Sequence, residues 1–217
     1  MDRKELIKRY LLFITGLFFS AMGVACAKHA GLGVSPISSV ANVMSIRFPV
    51  LSLGTWLTLW NCVLILGQIL ILRKDFKLYQ LLQVPLSFVF GWFTDLGMFF
   101  VSPMTLSTYP AKLAMVLLGI VLLAFGIALA VVANVILNSG EAFVKAVSDV
   151  SGWEFGNVKT VFDISCVALA AALSLLFCGF RIVGIREGTV LTALLTGRIT
   201  RFFSSRIAAP LNKILTR

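Results

Sequence analysis

Charge is scarce in this chain. Only 13% of its 217 residues are Asp, Glu, Lys or Arg, about half of the roughly 25% usual in soluble domains. Hydrophobic residues reach 59% and the mean hydropathy is +0.99. A soluble core of this length cannot hide so much apolar surface, so a soluble globular enzyme is excluded. Histidine occurs once, at His29. Cys26, Cys62, Cys166 and Cys178 fall inside apolar segments with no C-x-x-C spacing, which argues against a zinc cluster or a disulfide framework. They read as small buried hydrophobes. H-E-x-x-H, G-x-S-x-G, Walker A and dinucleotide-binding patterns are all missing, so neither enzymatic activity nor a cofactor is expected.

What is present is a series of long apolar runs, and the expected fold class is an all-α polytopic membrane protein. Six candidate spans lie at about 10–27, 53–72, 81–101, 111–135, 158–180 and 188–203. At about 20 residues per span they consume most of the chain and leave no room for a separate soluble domain. The sixth is weak, being interrupted by Arg198 and Arg201. The net charge of +10 does not point to nucleic acid, because Lys and Arg sit at span ends. With six spans and the N-terminus inside, only Lys28, Arg47, Lys112, Arg181 and Arg186 fall outside. The other 14 of the 19 basic residues, Arg217 among them, fall inside, as the positive-inside rule expects. A five-span arrangement would put the basic C-terminal tail outside, so the sixth span is retained. The lipid bilayer is the expected partner, both termini are expected to be cytoplasmic, and a homodimer is left open. Ala25-Cys26-Ala27 also fits a signal-peptide cleavage pattern, the competing reading of the N-terminus.

The two halves resemble each other at an offset of 102–106 residues. Ala21-Met22-Gly23-Val24-Ala25 aligns with Ala124-Phe125-Gly126-Ile127-Ala128, Gly16 with Gly119, and Ser35 with Ser139. Gly54 aligns with Gly156, Asn61 with Asp163, Gly91 with Gly197 and Thr94 with Thr200. This divides the chain into repeats at 1–105 and 106–217, each with three spans, together forming one membrane domain. An odd number of spans per repeat inverts the second copy, an architecture known in secondary transporters.

Two stretches, 31–49 and 138–156, are neither long apolar runs nor polar loops. In the first, Ser35 suits an N-cap and Pro36 the first helical position. The helix that follows is about ten residues, or roughly 15 Å, half a bilayer core. In the second, Ser139-Gly140-Glu141 opens a similar segment. The two short helices either re-enter the membrane, with N-terminal amides favouring an anion, or lie along its surfaces as amphipathic helices.

Lys28-His29-Ala30-Gly31-Leu32-Gly33-Val34-Ser35-Pro36 resembles the signature of the bacterial YczE/YyaS/YitT family of integral membrane proteins. So do Leu82-Gln83-Val84-Pro85, Gly140-Glu141, the run from Val158-Lys159 to Asp163, and Gly184-Ile185-Arg186-Glu187-Gly188-Thr189. The resemblance covers nearly the whole chain and implies a five- or six-span protein of the bacterial inner membrane. Many members carry an acidic residue soon after that proline; here Ile37-Ser38-Ser39 follow.

Ionisable groups at membrane depth cost about 2.5–3.5 kcal/mol, so each needs a partner or a wet cavity. Asp163 shares a helix face with Lys159 four residues earlier; it is either an intrahelical pair or a cavity group. Asn61, Gln68, Gln83 and Asn134 read as interhelical hydrogen bonders or pathway lining. Asp95 is expected to pair with Lys112. Glu141 is a helix-start carboxylate or a ligand site, and Arg186-Glu187 a surface pair or an anion-capturing mouth. Gly16, Gly23, Gly119 and Gly126 are expected to let helices approach closely. The candidate substrate-binding set is thus Asp163, Asn61, Ser35, Ser139, Glu141, Gln83, Arg186 and Glu187. The leading expectation is a small secondary transporter for a small polar or anionic solute, with its site between inverted repeats. The alternative is a membrane accessory or regulatory protein that moves nothing.

Overall fold

The computed structural model describes residues 3–215, so Arg217 lies outside the described residues. All its regular structure there is helical: α1 (Arg3–Ala30), α2 (Pro36–Arg47), α3 (Leu53–Leu72), α4 (Gln83–Val101), α5 (Tyr109–Ala133), α6 (Ser139–Ser151), α7 (Phe155–Phe177) and α8 (Glu187–Leu215). Two 3-10 segments, Arg73–Asp75 and Leu78–Leu82, join α3 to α4.

Five helices (α1, α3, α4, α5 and α7, two of them with adjoining 3-10 residues) are long and apolar enough to cross a membrane. The chain is a multi-pass helical membrane protein. Its lipid-facing surface is itself apolar: Leu70, Phe99, Ile164 and Leu176 are all more than 60% exposed. α8 does not qualify by composition, since Arg198, Arg201 and Arg206 interrupt it. Its 29 residues nonetheless reach about 43 Å at 1.5 Å per residue, and it packs along α5.

The core is the α1–α5 pair, whose apolar windows are 56% and 50% buried against 17% for α7. Glycine makes this pairing close. A Cβ on Gly16 would lie 2.7 Å from the Gly126 carbonyl oxygen, and one on Gly23 would lie 2.5 Å from that of Gly119. The helices therefore run antiparallel, and their backbones nearly touch; the four glycines led one to expect a close approach. Arg9 seals one end by donating to the carbonyls of Val132 and Ala133, a cation at a helix C-terminus where the dipole favours it.

Around this pair, α4 packs on α1 and α8 on α5, while α2 packs on α7 and α3 on α6. The short helices each begin in the interior and run outward, to opposite ends of the molecule. The start of α2 is buried, and Arg47 in its last turn reaches the Phe177 carbonyl at the end of α7. Ser139 and Gly140 at the start of α6 are buried, whereas its last turn is exposed and leads to the beginning of α7. The leg entering α2 is pinned by α8: the Gly188 N–H donates to the Leu32 carbonyl at 2.8 Å. Gly33 there has φ +101°, a conformation open to glycine and strained for other residues.

One expectation is corrected. Asp95 does not pair with Lys112. Its carboxylate accepts from the Gly54 N–H at 2.8 Å and the Ser52 hydroxyl at 2.6 Å, because the close α3–α4 packing brings the open start of α3 within reach.

Candidate functional site

The interior starts of α2 and α6 meet at the wall of a cavity of about 320 Å³, at the low end of small-molecule sites. They nearly touch: a Cβ on Gly140 would lie 2.9 Å from Ile37 Cδ1. The walls come from α1, α3, α4, α5, α7 and α8. Phe13, Leu17, Leu57, Phe90, Leu123 and Ile127 make much of them apolar.

Six of the eight residues singled out from the sequence line this cavity: Ser35, Asn61, Gln83, Ser139, Glu141 and Asp163. Lys159 lies beside Asp163, its ammonium bonded to both carboxylate oxygens. The pair is both intrahelical and cavity-lining, so the two readings of Asp163 coexist. Glu141 sits in the first turn of α6 in the field of Lys159 and Asp163, its carboxyl turned toward the Asn138 backbone N–H. Gln83 and Gln68 exchange amide hydrogen bonds at 3.0 and 3.1 Å, and Gln68 also donates to the Ser139 carbonyl. That cluster fixes α3 and α4 to the start of α6.

Arg186 and Glu187 lie elsewhere. They form an exposed pair at 3.1 Å, with the Tyr109 hydroxyl on Glu187. The glycine that follows them is the structural part of the motif: a Cβ on Gly188 would stand 2.6 Å from the Leu32 carbonyl oxygen. His29 is likewise peripheral, its Nε2 2.6 Å from the Met104 carbonyl oxygen.

The starts of the two short helices differ in charge. α6 carries Glu141 in its first turn. α2 has no acidic residue there and, among the described residues, no side chain bonded to its free amides, because the Ser35 hydroxyl turns to Ser38 instead. An uncapped helix N-terminus carries about half a positive charge, and the one at α2 opens onto the cavity.

Several lining groups escaped the sequence reading. Ser20 is 2% exposed, and its hydroxyl has no partner among the described residues; the Thr196 hydroxyl is also buried and unpaired among them. Both line the cavity, and an unpaired buried hydroxyl is costly unless something else satisfies it. Thr192, Thr196 and Thr200 all line it too, and their four-residue spacing on α8 was a legible helical stripe. Ser20 carried no such signal in its apolar run.

Comparison with known proteins was decided by one match: the model of a family of unknown function, DUF6198, covers residues 7–205. The chain belongs to this family. It is also 28% identical over 217 residues to "Uncharacterized membrane protein YczE" of Bacillus subtilis (strain 168), covering 99% of this chain and 94% of that protein. This relative agrees with the YczE-type resemblance noted in the sequence. No solved structure matches the chain.

Proposed function

We propose that this DUF6198 protein is a small secondary transporter built from two inverted repeats, and that its cavity takes a small organic anion. The observation that carries the reading is the uncapped start of α2, free of acidic residues, opening onto a largely apolar cavity that the unpaired Ser20 hydroxyl also lines. An anionic head would accept hydrogen bonds from the α2 amides and from Ser20 and Thr196. The apolar walls would take the remaining body. In α6 the same dipole is already opposed by Glu141, and the equivalent position in α2 is Ile37, so the site is polarised toward α2.

The repeat is supported by how the helices meet. In the repeat register, Gly16 corresponds to Gly119 and Gly23 to Gly126, so exchanging the halves turns the Gly16–Gly126 contact into the Gly119–Gly23 contact. The same exchange turns α1–α4 packing into α5–α8, and α3–α6 into α7–α2. With three spans in each half, α8 is the sixth. A site at the junction of two such halves can open to either side in turn.

Purified protein in liposomes tests the reading. A panel of small carboxylates and inorganic anions should contain one that raises the unfolding temperature saturably and crosses the membrane only in protein-containing vesicles. Saturable stabilisation without flux would favour a ligand-binding regulatory protein.

A further inference from the structure

The repeat register places Glu154 opposite Ser52, Gly156 opposite Gly54 and Thr160 opposite Thr58. In the last helices it places Ala193 opposite Ser87, Gly197 opposite Gly91 and Arg201 opposite Asp95. The first set is tightly joined. A Cβ on Gly91 would lie 2.5 Å from the Gly54 carbonyl oxygen. Thr58 Oγ1 donates across the seam to the Ser87 carbonyl at 3.1 Å, and Asp95 closes it on Ser52 and the Gly54 N–H.

The second set is open. A Cβ on Gly156 or on Gly197 would meet nothing within 4 Å. Among the described residues, Thr160 Oγ1 bonds only within its own helix, to the Gly156 carbonyl. Glu154 and Arg201 stand where Ser52 and Asp95 close the first seam. Both are exposed, they carry opposite charges, and neither side chain has an ion pair among the described residues. α3 packs along α4, whereas α7 forms no comparable seam with α8. Lys159, Gly197 and Thr200, beside this gap, line the cavity.

We infer that the α7–α8 gap is a gate, that it closes on the Gly156–Gly197 contact as the α3–α4 seam opens, and that a Glu154–Arg201 ion pair latches it. The inference rests on the inverted-repeat reading. Two glycines allow backbones to meet without side chains between them, as Gly54 and Gly91 already do. The charges explain why the latch differs in kind from its counterpart. A surface ion pair is weak alone, which suits a contact that must be released. The closed seam lies at the end of the molecule where α1 finishes and the open one at the end where α1 begins, so the structure is the form open toward its own N-terminal end.

The test is cross-linking in the full chain with its four cysteines replaced. Thr160→Cys with Ala193→Cys reports closure of α7 on α8, and Thr58→Cys with Ser87→Cys reports the closed α3–α4 seam. In native membranes both pairs should cross-link, each in a fraction of molecules. Gly197→Leu has room in this structure and should fold, yet it should abolish the 160–193 product and raise the 58–87 product. Gly91→Val should do the reverse; if it does not fold, Asp95→Ala, which removes only the seam's hydrogen bonds, takes its place. Arg201→Glu should cut the 160–193 product several-fold, and adding Glu154→Arg should restore it.

Absence of the 160–193 product in every background, with 58–87 cross-linking normally, would overturn the gate. Restored closure failing in the charge-swapped protein would overturn the latch. Neither readout needs a transported solute. Cross-linking without flux would thus sink the transport reading and leave the gate, whereas flux without cross-linking would do the opposite.

Discussion

Ser20 is worth more to a bound ligand than to the empty fold. Its hydroxyl is buried without a partner among the described residues, and such a group costs about 1–3 kcal/mol if nothing satisfies it. Ser20→Ala is expected to leave the unfolding temperature of the ligand-free protein unchanged or raised, and to weaken stabilisation by whichever anion binds. A fall in ligand-free stability would mean that the hydroxyl has a structural role. Asp163 poses the converse case. Its carboxylate holds Lys159 at the cavity wall, so Asp163→Asn leaves that ammonium without its counter-charge while keeping the side chain's size. The variant is expected to express normally and to strengthen anion-dependent stabilisation, because the cavity loses one negative charge and gains an unpaired ammonium. Poor expression, with full activity in the fraction that folds, would make the pair structural.

Among the elements, the α1–α5 glycines differ sharply from those of the α7–α8 gap. Gly23→Leu drives a side chain into the Gly119 carbonyl and the Leu123 backbone. Overpacking of this kind costs about 1–3 kcal/mol even where side chains can shift, and here the obstacle is backbone. Loss of folded protein is expected for Gly23→Leu but not for Gly156→Leu, with size-exclusion profiles in detergent as the measurement. The same pattern explains what the sequence disclosed. The apolar runs announced α3 to the residue, and Pro36 and Ser139 marked where the short helices begin. Gly16, Gly23, Gly119 and Gly126 announced a close approach, though not with which partner. Polar side chains were legible where an amide or carboxylate interrupted an apolar run, as at Asn61 and Asp163. They were illegible where a hydroxyl blends into such a run, as at Ser20. Arg186 and Glu187 stood out because they are charged and carry a family motif. Their place is set by Gly188, which must approach Leu32, and charge alone did not reveal that.

At the scale of the whole molecule, the bilayer fixes direction. The basic residues gather at the end where α1 begins, so a reporter at the C-terminus should read cytoplasmic and one near Thr108 external. An external C-terminus would remove α8 as a span and the inverted repeat with it. The central claim concerns the interior: that the uncapped start of α2 makes the cavity favour anions although Glu141 and Asp163 also line it. Ser38, 6% exposed and lining the cavity, is the position at which to read that field. In a protein otherwise free of cysteine, Ser38→Cys can be labelled with two thiol reagents of similar size, one bearing a sulfonate and one a trimethylammonium. Their rates are normalised to those on a small free thiol. The account predicts that the sulfonate reagent reacts faster, and that high salt reduces the preference only in part because the reacting position is buried. Equal rates, or faster reaction by the cationic reagent, would contradict it.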